Sequence, residues 1–288
     1  MTIRVDYQRL RLLWTGAAVL ACTCAGIVRA QVVVMPTFSS TTGLTINSAG
    51  TATTSDGTIL RLVAATSSDA GSAFTTSQFN VGTGFSTAFE FRLSNRGGIS
   101  DGTQIGADGF VFVVQRDGAT SLGGAGGSLG YGGIGSSVGV KFDTFQNGGD
   151  LSSNFMSVVS GGSVTAISGT SASVSPDFDN GNKWTAWIDY NGSTLEFRVS
   201  TDGTRPASAL MTHSINIAST IGGNTAFVGF TAGTGGAWAD HDILKWTFSD
   251  TFVNGGVMPG LAVPEPPTVA LAALGLGVIW WRRRRALW

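Results

Sequence analysis

Cysteine is nearly missing from this 288-residue chain: both cysteines, Cys22 and Cys24, lie among the first 30 residues. Whatever folds after them needs no disulfide. Charge is sparse too, with only 12% Asp, Glu, Lys and Arg, so the Glu- and Lys-rich surfaces of long soluble helices are excluded. Basic residues are scarcest where a nucleic acid would need them. Eight of the 17 lie at the ends (Arg4, Arg9, Arg11, Arg29 and the run 282–285), and removing these with Asp6 and Glu265 leaves 9 basic residues against 16 acidic. No basic stripe is left to neutralise phosphates, which excludes DNA or RNA recognition. Of the two histidines, His213 alternates in a strand-like run and reads as solvent-facing, while His241, beside Asp242, reads as structural. Neither has the surroundings of a Ser-His-Asp set.

What the chain has in quantity is glycine, 42 residues of it. Short runs rich in Val, Ile, Phe, Thr and Trp are broken every eight to twelve residues or so by Gly, Ser, Asn and Asp, which predicts an all-β sandwich or barrel. Strands are expected at 44–47, 59–63 and 85–93, the last with Phe85, Thr87, Phe89, Phe91 and Leu93 facing a core and Ser86, Ala88, Glu90 and Arg92 facing water. Residues 110–115 are apolar on both faces, as in a central strand. Further strands are expected at 157–160 and 164–167, split by Gly161-Gly162, and residues 184–190 and 194–200 form a hairpin across Asn191-Gly192. Asn191-Gly192-Ser193 also fits a glycosylation sequon but reads as turn chemistry.

The two ends read differently. Arg4, Arg9 and Arg11 precede an apolar run that closes at Val28-Arg29-Ala30, so residues 1–30 read as a secretory signal peptide cut after Ala30. Val19-Leu20-Ala21-Cys22 also permits a lipoprotein reading. One β domain is expected over 31–250, then a linker over 251–263. Residues 268–281 are apolar or small and are followed by four arginines. Fourteen helical residues span about 21 Å, short of a bilayer core, but Trp280, Trp281 and snorkelling arginines extend the reach, and the arginines mark the cytoplasmic end.

One loop carries candidate chemistry. After a strand-like run ending at Asp143, residues 143–150 supply the carboxylates of Asp143 and Asp150, the amide oxygen of Asn147 and the main-chain carbonyl of Phe145, with Gly148 and Gly149 folding the chain back. Hard oxygen donors of this kind suit calcium. A polar Gly-Asn turn between strands is the alternative.

Five blocks in order resemble the L-type (legume-type) lectins over about residues 40–250: Ala107-Asp108-Gly109 with its following strand, Gly126-Gly127-Ser128-Leu129-Gly130-Tyr131, the loop just described, 184–190, and 227–232 through 241–248. The resemblance implies a concanavalin A-like β-sandwich (jelly roll) and a carbohydrate site. There Asp108 would accept from sugar hydroxyls, the Gly127 NH and the Asn147 amide would donate, Phe145 would stack on the sugar, and the NH groups of Gly236 and Ala237 would line the specificity loop. It also implies a cis Ala107–Asp108 peptide and calcium held by Asp143, Phe145, Asn147 and Asp150. The chain departs from the family at its second, transition-metal site, where Lys141 stands for a Glu and Phe155 for a His. That site is expected to be absent, with the Lys141 ammonium in its place, paired with Asp143 or Asp150. The Asn147–Asp150 interval is also one residue shorter than in plant lectins and lacks their Trp.

The last 25 residues, 264–288, resemble the PEP-CTERM sorting signal of Gram-negative bacteria: Pro264-Glu265-Pro266, an apolar helix and a basic cluster. This implies export through the inner membrane, processing by an exosortase, and display at the cell surface or in an exopolysaccharide matrix. The favoured function is a non-enzymatic, calcium-dependent carbohydrate binder. A structural matrix protein of the same fold, without metal or sugar, is the main alternative. A glycoside hydrolase of this architecture would need paired carboxylates in a Glu-x-Asp-x-Glu strand, and the three glutamates, Glu90, Glu196 and Glu265, form none.

Overall fold

Alternation within one long strand sets up the sandwich. Phe85, Phe89, Phe91 and Leu93 all point into one apolar core, and the rest of the chain folds to cover them. The computed structural model describes residues 30–48, 54–55 and 57–255. Its strands are, in chain order, β1 (Val32–Met35), β2 (Leu44–Ser48), β3 (Thr54–Ser55), β4 (Ile59–Val63), β5 (Ala70–Thr75), β6 (Phe79–Asn80), β7 (Phe85–Gly98), β8 (Gly109–Gln115), β9 (Ser137–Asp143), β10 (Phe155–Ser160), β11 (Ala172–Ser173), β12 (Trp184–Tyr190), β13 (Thr194–Ser200), β14 (Met211–Ser214), β15 (Thr225–Gly233) and β16 (Ala237–Ser249). A short α-helix, α1 (Ile217–Ile221), is capped by Asn216 at its start and by Gly222 at its end.

The strands form two antiparallel sheets. One runs β14-β13-β12-β7-β16-β4-β3 with β1 also on β16, and the other β11-β10-β9-β8-β15-β5-β2 with β6 also on β15. Between them lies an aromatic core. Phe89 from the first sheet meets Phe110, Phe112, Phe142 and Phe230 from the second, with ring centroids 5.0–6.1 Å apart. Each fully buried ring of this kind contributes about 1.5–3 kcal/mol.

β8 is buried on both faces, as its sequence predicts. Phe110, Phe112 and Val114 enter the main core, while Val111 and Val113 enter a second cluster with Phe74, Leu129, Tyr131, Ile134 and Val159. The glycine-rich loop therefore sits as a lid on the outer face of the second sheet.

Two expectations fail locally. Residues 164–167 form no strand: Gly161 and Gly162, both at positive φ, turn the chain across β10, where Ile167 donates to the Val158 carbonyl and Thr170 Oγ1 accepts from the Val158 NH. Ser86 and Ala88 are buried, because residues 251–255 fold back over the first sheet. Val253 donates its NH to Ser86 Oγ and packs on Ala88 and Trp187. The predicted signal peptide and sorting tail lie outside the described residues, apart from Ala30. Among the described residues no helix is long and apolar enough to cross a membrane.

Candidate functional site

Strand register gathers the site. Gly109 at the start of β8 pairs with Asp143 at the end of β9 and with Gly233 at the end of β15. Asp108, the loop after Asp143 and the loop 234–236 therefore leave the same end of the second sheet. The glycine-rich loop reaches that end too, because the Gly126 NH bonds the Thr234 carbonyl. The loop 234–236 is braced further by Ser68 NH on the Gly235 carbonyl and Ile99 NH on the Gly236 carbonyl.

The Ala107–Asp108 peptide is cis. Asp108 donates its NH to the Gly233 carbonyl at 3.1 Å and accepts the Thr144 NH at 3.0 Å, and the next NH, of Gly109, bonds His241 Nε2 at 3.1 Å. Gly109 has φ +118°, and a Cβ there would collide with the Phe142 carbonyl, so only glycine fits. The Asp108 side chain is 5% exposed, and its Oδ2 has no hydrogen-bond partner. Glycines press on that oxygen: a methyl group on Gly235 would stand 3.2 Å from it and one on Gly126 3.9 Å. Burial, and then the charge of Asp143, raise the Asp108 pKa to about 7.

Lys141, on the outer face of β9, is 2% exposed. Its Nζ lies 2.9 Å from Asp143 Oδ2 and 3.2 Å from Asp150 Oδ1, so the expected pairing is made to both carboxylates. The other carboxylate oxygens accept main-chain NH groups of the loop: Phe145 NH on Asp143 Oδ1 at 3.1 Å and Asn147 NH on Asp150 Oδ2 at 2.9 Å. Asn147 Nδ2 closes back on the Phe145 carbonyl at 3.2 Å. Burial raises the Asp143 pKa to about 6; Lys141 opposes this and Asp150 adds to it. These residues line a cleft of about 310 Å³ shared by Gly127, Lys141, Asp143, Asn147, Asp150 and Thr165.

The loop before β8, which had no assigned role, braces this cleft. Asp101 Oδ2 accepts the Gln146 NH, and Gln104 Nε2 donates to the carbonyls of Thr144 and Ser153. An Asx turn whose partner lies 45 residues away leaves no local pattern to read.

Of the predicted sugar residues, Asp108, Gly127, Asn147 and Gly236 share one end of the sheet, and a methyl group on Gly127 would come 3.2 Å from Asn147 Nδ2. Phe145 is half-buried, Gly236 exposed, and Ala237 buried at the start of β16 opposite Gly98. His213 is half-buried in β14 rather than solvent-facing, because it shares its side of the strand with Met211, which packs against the main core. Pro264, Glu265 and Pro266 lie outside the described residues.

No group of three His, Cys, Asp or Glu side chains forms a metal cage among the described residues, so a cation here would also need the Asn147 amide and the Phe145 carbonyl. Charge supports one: Asp108, Asp143 and Asp150 stand against a single ammonium, an excess that one divalent ion would match. The donor set therefore fits one calcium beside Lys141.

Comparison with known proteins agrees with the fold. Residues 37–245 match the family described as the Legume lectin beta-barrel domain. L-type lectin-domain containing receptor kinase VIII.1 of Arabidopsis thaliana is 33% identical over 193 residues, 64% of this chain and 26% of that protein. Receptor kinase VIII.2 of the same plant is 31% identical over 176 residues, 58% of this chain and 24% of that protein. The chain thus spans about a quarter of the length of these relatives. Basic winged bean lectin, solved with Tn-antigen, superposes with a TM-score of 0.64 at 22% identity, covering 81% of this chain and 100% of that one. The metal-free form of lectin I-B4 from Griffonia simplicifolia superposes at 0.63 and 22% identity, covering 76% and 98%. The match over most of the sandwich and the two-sheet topology together show that this chain belongs to the L-type lectin family.

Proposed function

We propose that this chain is a calcium-dependent carbohydrate-binding protein without catalytic activity. The observation that carries the reading is the convergence of Asp108, with an unpartnered Oδ2, on the glycines of two loops beside a cleft whose carboxylates outnumber its one ammonium. Bound calcium would supply the missing positive charge, held by Asp143, Asp150, Asn147 and the Phe145 carbonyl. The protein's own groups do the recognition. Asp108 accepts from sugar hydroxyls, NH groups of Gly127 and the 236–237 segment donate, the Asn147 amide turns to the ligand, and the Phe145 ring covers its apolar face. The ends of the sequence extend the proposal: export through the inner membrane by the segment 1–30, membrane retention by 264–288, exosortase processing at Pro264-Glu265-Pro266, and display in an exopolysaccharide setting.

The test is a glycan array probed with the full chain in calcium and again in EDTA. Binding that needs calcium supports the proposal, and no binding in either condition overturns it. A second reading has its own observation. Lys141 and the Asn147–Phe145 bond close the loop with protein atoms alone, which favours a matrix scaffold that binds neither metal nor sugar. That reading requires calcium to leave both the array and the thermal midpoint unchanged.

A further inference from the structure

Most contacts between the two sheets are hydrocarbon, but near the site a polar group crosses from one to the other. His241 belongs to β16 of the first sheet and is fully buried, yet its Nε2 lies 3.1 Å from the NH of Gly109, at the start of β8 in the second sheet. Its Nδ1 lies 2.8 Å from the Ala239 carbonyl. The partners fix the tautomer. A carbonyl only accepts, so Nδ1 carries the proton, and an amide NH only donates, so Nε2 is bare. The β16 register against β4 shifts between His241 and Asp242, a local irregularity of the kind that re-aims side chains. The flanking Asp240 and Asp242 have partners of their own in Arg61, Arg92 and Asn95.

We infer that His241 is a positioning residue for the carbohydrate site: as a neutral acceptor it pins the Gly109 NH and thereby fixes the backbone that aims Asp108. The tie completes a set in which Gly233 holds the Asp108 NH and Thr144 the Asp108 carbonyl. Of the three anchors on this backbone, His241 is the one made by a side chain, so it can be changed without altering the main chain. The functional half of the inference rests on the reading of Asp108 as a sugar ligand, and the structural half does not.

Two experiments test it on the full chain. In uniformly ¹⁵N-labelled protein, a scalar coupling across the hydrogen bond between Gly109 N and His241 Nε2 is expected, and its absence overturns the tie whatever the protein binds. On a glycan array in calcium, His241→Gln, whose Oε1 can stand where Nε2 stood, should bind as the unmodified protein does. His241→Asn, which keeps only the Nδ1-side group, should bind about tenfold more weakly or worse. Equal binding by a folded His241→Asn, or lost binding by a folded His241→Gln, overturns the positioning role. If the unmodified protein binds no glycan, the lectin reading fails while the coupling still decides the tie.

Discussion

Lys141 holds its ammonium 4.5 Å from the ring centroid of Phe155, and the same nitrogen bridges Asp143 and Asp150. These are the two positions at which the chain departs from the two-metal pattern of the L-type lectins, and they touch. A phenyl face cannot ligate a metal, but it attracts an ammonium. The loop thus keeps an ammonium between the two carboxylates, at the place where no second metal is expected from the sequence. A buried ammonium removed from between two carboxylates leaves them uncompensated, at a cost of about 3–5 kcal/mol. Lys141→Met should therefore lower the unfolding free energy obtained from urea denaturation in EDTA by that amount, with a matching fall in the urea midpoint, and millimolar calcium should recover part of the loss. An unchanged midpoint would show that Lys141 is incidental.

The same pair predicts metal selectivity. Isothermal titration should find no tight manganese site apart from calcium in the unmodified protein, while Lys141→Glu combined with Phe155→His should create one. Tight manganese binding by the unmodified protein would mean that the ammonium leaves the loop readily.

The sequence made some of this legible and not the rest, for physical reasons. Period-two patterning located β7, and Asn191-Gly192 located the β12–β13 hairpin, because each signal is local. β5, of sequence Ala-Gly-Ser-Ala-Phe-Thr, is buried throughout but carries almost no apolar contrast to read. α1 is one capped turn inside a β chain. At the site, the oxygen-bearing side chains of residues 143–150 were legible as a turn after β9. The Asp101 and Gln104 braces, and the partner of His241, join segments far apart in sequence, and only the fold brings them together.

Opposite pH slopes are expected with and without calcium. Asp108 and Asp143 titrate at about 7 and about 6 in the metal-free fold against an ordinary 3.8, so between those values the native state holds protons that the unfolded chain has lost. Their effect weakens the fold as pH rises through that window. His241 works the other way: burial lowers it from 6.5 to about 4, with Asp240 and Asp242 pulling upward and Arg61 downward, so it weakens the fold as pH falls from 6.5 toward 4. Each shift is worth on the order of 3 kcal/mol. Two carboxylates outweigh one histidine, so the protein in EDTA should lose stability from about pH 5 to about pH 7. Calcium keeps the carboxylates ionised and leaves the histidine slope, so the loaded protein should gain stability over the same range. Thermal midpoints that move in parallel in the two conditions would contradict this assignment.

Gly109→Ala tests the backbone itself. With φ at +118° and the Phe142 carbonyl in the way of a Cβ, the substitution must displace β9 from β8 at the site. A loss of about 3 kcal/mol or more is expected in chemical denaturation, with glycan binding abolished. Near-normal stability would mean that the two strands separate there at little cost.

Asp108→Asn should divide function from stability. In the metal-free fold this carboxyl is desolvated, its Oδ2 is unpartnered, and the charge of Asp143 repels it. An amide of the same shape carries no charge, so at pH 8 in EDTA the variant should be more stable than its parent by about 1–2 kcal/mol. The same change replaces an acceptor oxygen with a donor at the point where sugar hydroxyls are proposed to bond, so calcium-dependent array binding should vanish. Destabilisation with binding retained would place Asp108 in the scaffold and move the ligand elsewhere on the sandwich. Gain of stability with loss of binding is the pattern expected of a carboxylate kept for its ligand, because nothing within the fold rewards its charge.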